Sequence, residues 1–341
     1  MDRRELLIAT QGLLLSSLVA PPSIAQAASE PRTIVMTGAN SGIGLEACKR
    51  LAQNPQNTLI LACRTLAKAQ ATAEALREFP AQTIPAACDL ASLDSIRSFA
   101  QSAPNKVDTL CLNAGFARNT AATDVARTAD GFELTVGTNH FGHFYLTHYL
   151  LPKVQRSIVV TASGVHDPNS PGGAQGTPAT LGDLAGLQDQ GKACAMLDGG
   201  AYNPDKAYKD SKLCNVLFTR ELDRRVGRQL QVNAFNPGLI VSTGLFRDQN
   251  AVFTKLFDVV ATDVFKVGET PEWGGAALEY MATQVETKGQ YYTSPPGSSK
   301  YGEAAFGKQF AVAEVSKEAQ DDAKAKKLWE LSEKVLGIAT I

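Results

Sequence analysis

The sequence predicts an α/β fold, a doubly wound parallel sheet in a single domain. Short apolar runs alternate with stretches of helical composition, which is the pattern of parallel strands joined by helices. Glycine-rich or polar motifs follow these runs, where the strands of such a sheet place their ligand sites. The 341 residues, 44% of them hydrophobic, suffice for one large core. We therefore expect one site, at the carboxyl ends of the strands.

The first predicted strand, residues 33–37, runs into a glycine-rich turn and then a helix through Leu51. Gly38 permits a tight turn, Gly42 lets backbone N–H groups approach a pyrophosphate, and Gly44 allows close helix packing. The N-terminus of the helix favours the negative charge of the phosphates. This order of strand, turn and helix indicates a Rossmann-like dinucleotide site. Its predicted contacts are Gly38, Ser41, Gly42, Ile43 and Gly44.

The ends of the next two strands, residues 58–62 and 83–88, specify the nucleotide. Arg64 lies about 20 residues after the last glycine of the turn, where an NAD-preferring site carries an acidic residue for the ribose. A guanidinium at this position can pair with a 2′-phosphate, so the sequence predicts NADPH. The adenine ring is expected to lie against Asp89 and Leu90.

A fourth strand, residues 109–112, ends in an Asn-Ala-Gly motif, and a long apolar helix ending near Leu151 follows it. The motif adds three predicted cofactor contacts, Asn113, Ala114 and Gly115. The helix contains three histidines, His140, His143 and His148. No carboxylate stands at ligand spacing among these histidines, so helix packing is favoured over a metal site.

The proton chemistry is predicted at the next strand end and in the helix after it. Residues 157–161 form the strand, and Ser163 follows it with a hydroxyl group. Tyr208 and Lys212 are four residues apart in a predicted helix over residues 207–226, so they share one face. A lysine cation beside a phenol lowers the tyrosine pKa, which lets tyrosine exchange a proton near neutral pH. The alternative is a surface tyrosine above a solvated lysine.

The remaining segments are expected to enclose the substrate. Residues 165–205 are far longer than a normal connection and predict a substrate lid or a disordered excursion. A sixth strand, residues 231–235, precedes three further cofactor contacts, Pro237, Gly238 and Thr243. The apolar residues 251–267 predict a flap over an apolar ligand. A last strand, residues 289–294, and a charged helix, residues 316–336, complete the expected fold.

Composition and the N-terminus bound the function. The formal net charge of -1, without a long run of like charges, gives no pull towards nucleic acid. The six cysteines form no C-x-x-C pair, which predicts reduced, buried thiols. In residues 1–29, Arg3 and Arg4 precede a short apolar run and a small-residue motif, which predict an export or thylakoid-targeting signal before a domain over residues 30–341. The alternative is an uncleaved, membrane-associated N-terminus.

These motifs resemble the short-chain dehydrogenase/reductase superfamily, because they occur in its order: the glycine turn, Asn-Ala-Gly, Asn139, Ser163, Tyr208, Lys212 and Pro-Gly. Across residues 31–341 the chain resembles more narrowly the light-dependent protochlorophyllide oxidoreductases, a plastid and cyanobacterial branch. The narrower resemblance rests on the insertion, the tail and the segments around them, namely residues 181–187, 195–200, 207–215, 243–247 and 323–336.

The resemblance implies that NADPH gives a hydride to C17 of protochlorophyllide after the pigment absorbs light. Tyr208 is then the proton source for C18, and Lys212 tunes it and holds the ribose. Ser163 would orient the substrate, and Asn139 would support a water relay. The chain departs from the branch after Pro-Gly, where the branch has a cysteine thought to contact the pigment and this chain has Leu239.

Two other readings stay open. A light-independent carbonyl or retinol-type reductase would polarise a carbonyl with Ser163 and protonate it with Tyr208. A non-catalytic NADPH or tetrapyrrole-binding protein would gain nothing from a tuned phenol. The expected partner is a small molecule, a tetrapyrrole or a hydrophobic carbonyl, while membrane contact and oligomerisation stay open. The resemblance implies a thylakoid-associated location in a plastid, and the alternative is twin-arginine export to a periplasm or lumen.

Overall fold

The computed structural model describes residues 31–227, 229–240 and 268–340. The strands in these ranges are β1 (Thr33–Thr37), β2 (Thr58–Cys63), β3 (Gln82–Ala87), β4 (Val107–Leu112), β5 (Val154–Thr161), β6 (Gln231–Phe235), β7 (Tyr291–Thr293) and β8 (Ala311–Val312). They form one sheet in the order β3-β2-β1-β4-β5-β6-β7-β8, in which all neighbours are parallel except β7 and β8. The predicted doubly wound α/β class is confirmed.

Helices cover both faces of this sheet. They are α1 (Gly42–Leu51), α2 (Leu66–Ala75), α3 (Leu93–Ser102), α4 (Leu134–Val136), α5 (Gly142–Leu150), α6 (Ala185–Gln190), α7 (Pro204–Val226), α8 (Pro271–Thr283) and α9 (Asp322–Leu336). On one face Phe218 of α7 stacks on Trp329 of α9, with ring centroids 5.6 Å apart. On the other face α8 approaches α1 closely, because a Cβ on Gly275 would lie 2.8 Å from the backbone nitrogen of Ala47.

Helix α7 begins earlier than the sequence predicts. The side chain of Asn203 accepts a hydrogen bond from the backbone N–H of Lys206 at 3.0 Å and caps the helix. Pro204 occupies the first helical position, where its missing N–H costs nothing. The cap places Tyr208 in the second turn, so its position is set by a well-defined helix start.

The insertion, residues 165–205, differs from its prediction. Four leucines in its middle are buried in the core, namely Leu181, Leu184, Leu187 and Leu197. Two lysines of α7 hold it, because Lys206 Nζ donates to Thr180 O at 2.7 Å and Lys209 Nζ donates to Thr177 O at 3.1 Å. The prediction of a disordered excursion is wrong for this part, and the substrate lid stays a prediction. The leucines follow no single helical or strand spacing, so the sequence did not indicate that they are buried together.

Several smaller expectations are also settled. The predicted long helix is interrupted by a π-helical turn, Gly137–Phe141, between α4 and α5. The terminal helix α9 begins at Asp322, and the antiparallel β8 was not predicted. All six cysteines are free and buried, as predicted. Within the described ranges, no helix is both long and apolar enough to cross a membrane.

Candidate active site

One cavity of about 720 Å³ lies at the carboxyl ends of the parallel strands. Most of the predicted site residues line it: Gly38, Ser41, Gly42, Ile43, Arg64, Asp89, Leu90, Asn113, Ala114, Gly115, Ser163, Tyr208, Lys212, Pro237 and Gly238. Gly44 and Asn139 lie behind its wall. Thr243 and the predicted flap, residues 251–267, lie outside the described residues. The topology therefore brings motifs from many parts of the chain to one place.

The cavity has two ends, because the strands that line it belong to the two halves of the sheet, on either side of β4. The nucleotide end follows β1, β2 and β3 and includes the glycine-rich turn, Arg64 and Asp89. The reaction end follows β5, β6 and β7 and includes Ser163, Leu239 and Tyr291. Any ligand that fills the cavity has to span both ends.

Close packing holds the glycine-rich turn. Gly38 and Gly42 have φ angles of 68° and 53°, in the left-handed region that favours glycine. A Cβ on Gly44 would collide with the carbonyl oxygen of Gly38 and with the side-chain amide of Asn113. That amide also donates to Thr37 O at 2.9 Å, which ties the turn to the end of β4.

The nucleotide end presents two exposed cations, Arg64 and Lys68. Neither has a carboxylate partner within 4.0 Å in the part of the chain that the structure describes. Lys68 was missed by the sequence prediction, although its position four residues after Arg64, in the first turn of α2, was a usable signal. Two unpaired cations beside a nucleotide turn suit a phosphate group.

Three buried polar atoms in the cavity wall need partners. Asn113 Oδ1, Thr161 Oγ1 and Ser294 Oγ have no hydrogen-bond partner among the described residues. Burying such groups without a partner costs about 1–3 kcal/mol each, so they indicate a polar ligand. Together with the turn and the two cations, the lining fits NADPH.

Ser163, Tyr208 and Lys212 meet at the reaction end. Ser163 lies beside Tyr208 in the cavity wall and lowers the pKa of its phenol. Lys212 Nζ lies 5.7 Å from the centroid of the Tyr208 ring and donates to Thr161 O at 3.1 Å. The three side chains therefore form one proton-handling group.

The prediction that Lys212 lowers the pKa of Tyr208 is wrong for the protein alone. Burial raises the pKa of Tyr208 above its usual value, and the neighbouring Ser163 hydroxyl offsets only part of this rise. Burial also lowers the pKa of Lys212 to about 8, which weakens the cation. Desolvation outweighs the attraction between cation and phenolate.

Asn139 lies in the π-helical turn, fully buried and outside the cavity. Its side-chain oxygen accepts from Phe116 N at 2.9 Å, and its amide donates to Phe116 O at 2.9 Å and to Ser211 Oγ at 3.0 Å. The side chain thus braces the segment after β4 against α7. The water relay expected for Asn139 stays a prediction.

The sequence prediction missed several residues at the reaction end. They come from the start of the insertion and from the C-terminal part of the sheet, and include His166, Asp167, Tyr291, Thr293, Ser294 and Glu314. No local motif marks them, because they stand in separate segments that only the folded sheet brings together. Leu239 also lines this end, and its carbonyl accepts from Glu269 N at 2.7 Å.

The helix histidines form packing contacts. His140 Nε2 lies 3.2 Å from Ser332 Oγ, and His143 Nε2 lies 3.0 Å from Thr37 Oγ1. Burial lowers the pKa of both rings, so both are neutral at pH 7. The described residues contain no cluster of three or more His, Cys, Asp or Glu side chains that could hold a metal ion.

Comparisons with known proteins agree with this geometry. The family model described as short chain dehydrogenase matches residues 32–174. Protochlorophyllide reductase A, chloroplastic, from Hordeum vulgare is 37% identical over 94% of this chain and 85% of its own length. The protein of the same name from Triticum aestivum is 38% identical over 90% of this chain and 80% of its own length.

Solved structures share the fold. An uncharacterised protein from Mycobacterium paratuberculosis is 30% identical, with a TM-score of 0.65 over 91% of this chain and 94% of that chain. L-sorbose reductase from Gluconobacter frateurii, solved with NADPH and L-sorbose, is 20% identical. Its TM-score is 0.55 over 79% of this chain and 96% of that chain, which shows a common fold.

The sheet, the nucleotide turn and the Ser-Tyr-Lys group define the class of protein, an oxidoreductase of the short-chain type. The similarity to the curated relatives extends over nearly the whole chain. The chain belongs to the short-chain dehydrogenase/reductase superfamily and, within it, to the family of the protochlorophyllide reductases.

Proposed function

We propose that the chain reduces protochlorophyllide with NADPH in a light-dependent reaction. One observation carries the proposal: a single cavity joins a nucleotide end, with its two cations, to a reaction end that Ser163, Tyr208 and Lys212 line together. A cofactor and a second molecule can therefore lie side by side against one proton donor. The names of the curated relatives supply the substrate.

NADPH would be held chiefly at the nucleotide end. The backbone of the glycine-rich turn and the N-terminus of α1 would receive the pyrophosphate. Arg64 and Lys68 would bind the 2′-phosphate, which distinguishes NADPH from NADH. Asp89 and Leu90 would contact the adenine, and Lys212 would hold the nicotinamide ribose.

NADPH, when bound, would supply a hydride to C17 of the photoexcited pigment. Tyr208 donates its phenolic proton to C18, so that the C17–C18 double bond becomes a single bond and NADP⁺ remains. The raised pKa of Tyr208 keeps the phenol protonated at neutral pH, as a proton donor requires. Lys212, with a pKa of about 8, is largely cationic at pH 7 and stabilises the phenolate until a proton returns from solvent.

Leu239 narrows the choice of proton donor. Its side chain lines the cavity but has no exchangeable proton, so a donor other than this residue is needed. Tyr208 meets that need.

A dark carbonyl reductase is the second candidate. It is favoured by Leu239 and by the presence of Ser163 and Tyr208 in the same cavity wall, since a neighbouring serine and tyrosine can polarise and protonate a carbonyl oxygen. A binding protein without activity has no comparable support. The curated relatives are chloroplastic, so we place the chain in a plastid and propose association with the thylakoid.

The test compares substrates and light. The full chain is mixed with NADPH, or with NADH as a control, and with protochlorophyllide or a hydrophobic aldehyde such as retinal. Product is measured by absorbance in darkness and under illumination. We expect pigment reduction only with NADPH and light. Reduction of the aldehyde in darkness, with no change in the pigment, would favour the second candidate.

A further inference from the structure

The imidazole of His166 links Ser163 to a distant part of the chain. His166 ends the short helix Gly164–His166 directly after Ser163, and it is 1% exposed. Its Nδ1 lies 2.7 Å from Ser163 O, and its Nε2 lies 3.3 Å from the backbone nitrogen of Ser316, 150 residues away. The ring therefore bridges the reaction end and the segment before α9.

The two contacts determine which nitrogen carries the proton. A backbone N–H can only donate, so Nε2 of His166 accepts the hydrogen bond from Ser316. Nδ1 must then carry the hydrogen and donate it to the carbonyl of Ser163. The imidazole is neutral, and both of its nitrogens are used by the protein. It cannot donate to a ligand without giving up one of these bonds.

The surroundings keep the ring neutral and in place. Burial lowers the pKa of His166, while the Ser163 carbonyl and Asp167 oppose this lowering. The ring lies edge to face with Tyr291 of β7, with centroids 5.1 Å apart. Three elements thus hold the imidazole: the turn after β5, the strand β7 and the segment at Ser316.

We propose that His166 is a positioning residue, which fixes the Ser163 peptide and so the place of the Ser163 hydroxyl beside Tyr208. This inference rests on the proposed function, because that placement matters most when Tyr208 transfers a proton. The backbone N–H and the ring of His166 both donate to the same carbonyl of Ser163, so the carbonyl has one fixed direction. The Ser163 hydroxyl then has a fixed origin from which to reach the phenol.

Two substitutions separate positioning from packing. His166→Phe keeps an aromatic ring against Tyr291 but loses both hydrogen bonds. His166→Asn keeps an N–H group that can reach the Ser163 carbonyl, as Nδ1 does. His148→Phe is the matched control, because His148 is partly buried on α5 and is not part of the cavity lining. NADPH affinity is measured by fluorescence and folding by thermal unfolding.

We expect kcat of His166→Phe to fall roughly ten- to hundredfold, since small displacements of reacting groups have effects of this size. The KM for pigment and the Kd for NADPH should stay within about threefold, and His166→Asn should recover most of kcat. Wild-type kcat in the folded His166→Phe variant would overturn the proposal. So would an equal loss of kcat in both variants, since packing would then explain the effect.

A spectroscopic test needs neither variant nor substrate. The chain has four histidines, so nitrogen NMR of the wild-type protein can resolve each ring. The proposal predicts that His166 carries its proton on Nδ1, and a ring protonated on Nε2 would overturn it. Failure of the proposed function is recognised separately, because the wild-type chain itself would then reduce no pigment.

Discussion

The nucleotide end and the reaction end of the cavity are built in different ways. At the nucleotide end, residues that are close in sequence form the wall. Gly38, Gly42 and Gly44 stand in one turn, which Asn113 from the end of the adjacent strand contacts. At the reaction end, the wall comes from distant segments, as in the contact between His166 and Ser316. A local motif can define a cofactor site, whereas a substrate site depends on the whole fold.

The two ends also differ in electrostatics. Arg64 and Lys68 are exposed to solvent. Lys212 is buried and Tyr208 is half-buried, and desolvation shifts the pKa values of both. Binding at the nucleotide end should therefore respond to charge and salt, while chemistry at the reaction end should respond to burial and hydrogen bonds.

The largest effect is expected at the reaction end. Tyr208→Phe removes the phenolic proton and should reduce turnover about 10²- to 10⁴-fold, the usual contribution of a general acid. NADPH binding should be unchanged, since the cofactor is held mainly at the other end. Steady-state rates and NADPH fluorescence titration measure the two quantities.

The control is Tyr301→Phe, because Tyr301 is an exposed tyrosine, at 53%, that does not line the cavity. Full turnover in Tyr208→Phe would show that Tyr208 is not the proton donor. Proton transfer would then not distinguish the reaction end from the nucleotide end.

A second prediction concerns the attachment of the insertion beside Tyr208. Lys206 Nζ lies 2.6 Å from Asp210 Oδ2 and 2.9 Å from Asp198 Oδ2, and Asp210 is fully buried. Lys206→Met leaves the Asp210 carboxylate buried and unpaired, so the free energy of unfolding should fall by about 3–5 kcal/mol. Urea unfolding measures this loss.

Lys326→Met is the matched control, since Lys326 is exposed and lies 3.8 Å from Glu330. It should change the free energy of unfolding by less than about 0.5 kcal/mol. Equal stability of the two variants would mean that the insertion is not held through Lys206.

At the nucleotide end, Arg64→Ala should weaken NADPH binding about 10- to 100-fold, because a charge-assisted hydrogen bond contributes about 1.5–3 kcal/mol. Binding of NADH, which lacks the 2′-phosphate, should hardly change. Lys68→Ala should also weaken the binding of NADPH more than that of NADH, but the loss of NADPH affinity should be smaller. Arg77→Ala is the control at the other end of α2, where Arg77 pairs with Glu78. An equal loss for both nucleotides would contradict the assignment of the 2′-phosphate site.

The smallest expected effect is a gain in stability. The pKa of Lys212 is about 8 in the folded protein and near 10.5 in the unfolded chain. Between these values the unfolded chain binds more protons, so wild-type stability rises with pH through this window. Lys212→Met should therefore be more stable than wild type at pH 7, by about 1–2 kcal/mol after loss of the bond to Thr161.

This advantage should shrink as pH approaches 10, and urea unfolding at pH 7 and pH 9.5 measures it. A Lys212→Met variant that is less stable than wild type at pH 7 would show that the ammonium group stabilises the fold.

Much of the fold and of the nucleotide end could be predicted because the signals are local. The runs that became β1 and β6 kept their predicted bounds, and Arg64 could be placed by counting from the glycine-rich turn. Lys68 could have been found in the same way. Such features depend on spacing along one strand, turn or helix, which the sequence displays directly.

The remainder depends on contacts that spacing does not display. Asn139 lies in the π-helical turn, and its side chain forms hydrogen bonds with the backbone of Phe116, which belongs to another segment. The leucines of the insertion are buried in a core cluster that also contains residues of α7 and α9. The pKa of Tyr208 was mispredicted because burial, which the sequence does not give, outweighs the nearby lysine.

The most direct test of the central claim is a single-turnover flash measurement. Wild type and Tyr208→Phe are loaded with NADPH and protochlorophyllide in darkness, and absorbance is followed after one laser flash. If Tyr208 delivers the proton beside the cofactor, wild type should shift to the red while Tyr208→Phe stops before the final product. A product that forms at the same rate in both proteins, or a wild-type complex that does not respond to light, would contradict the claim.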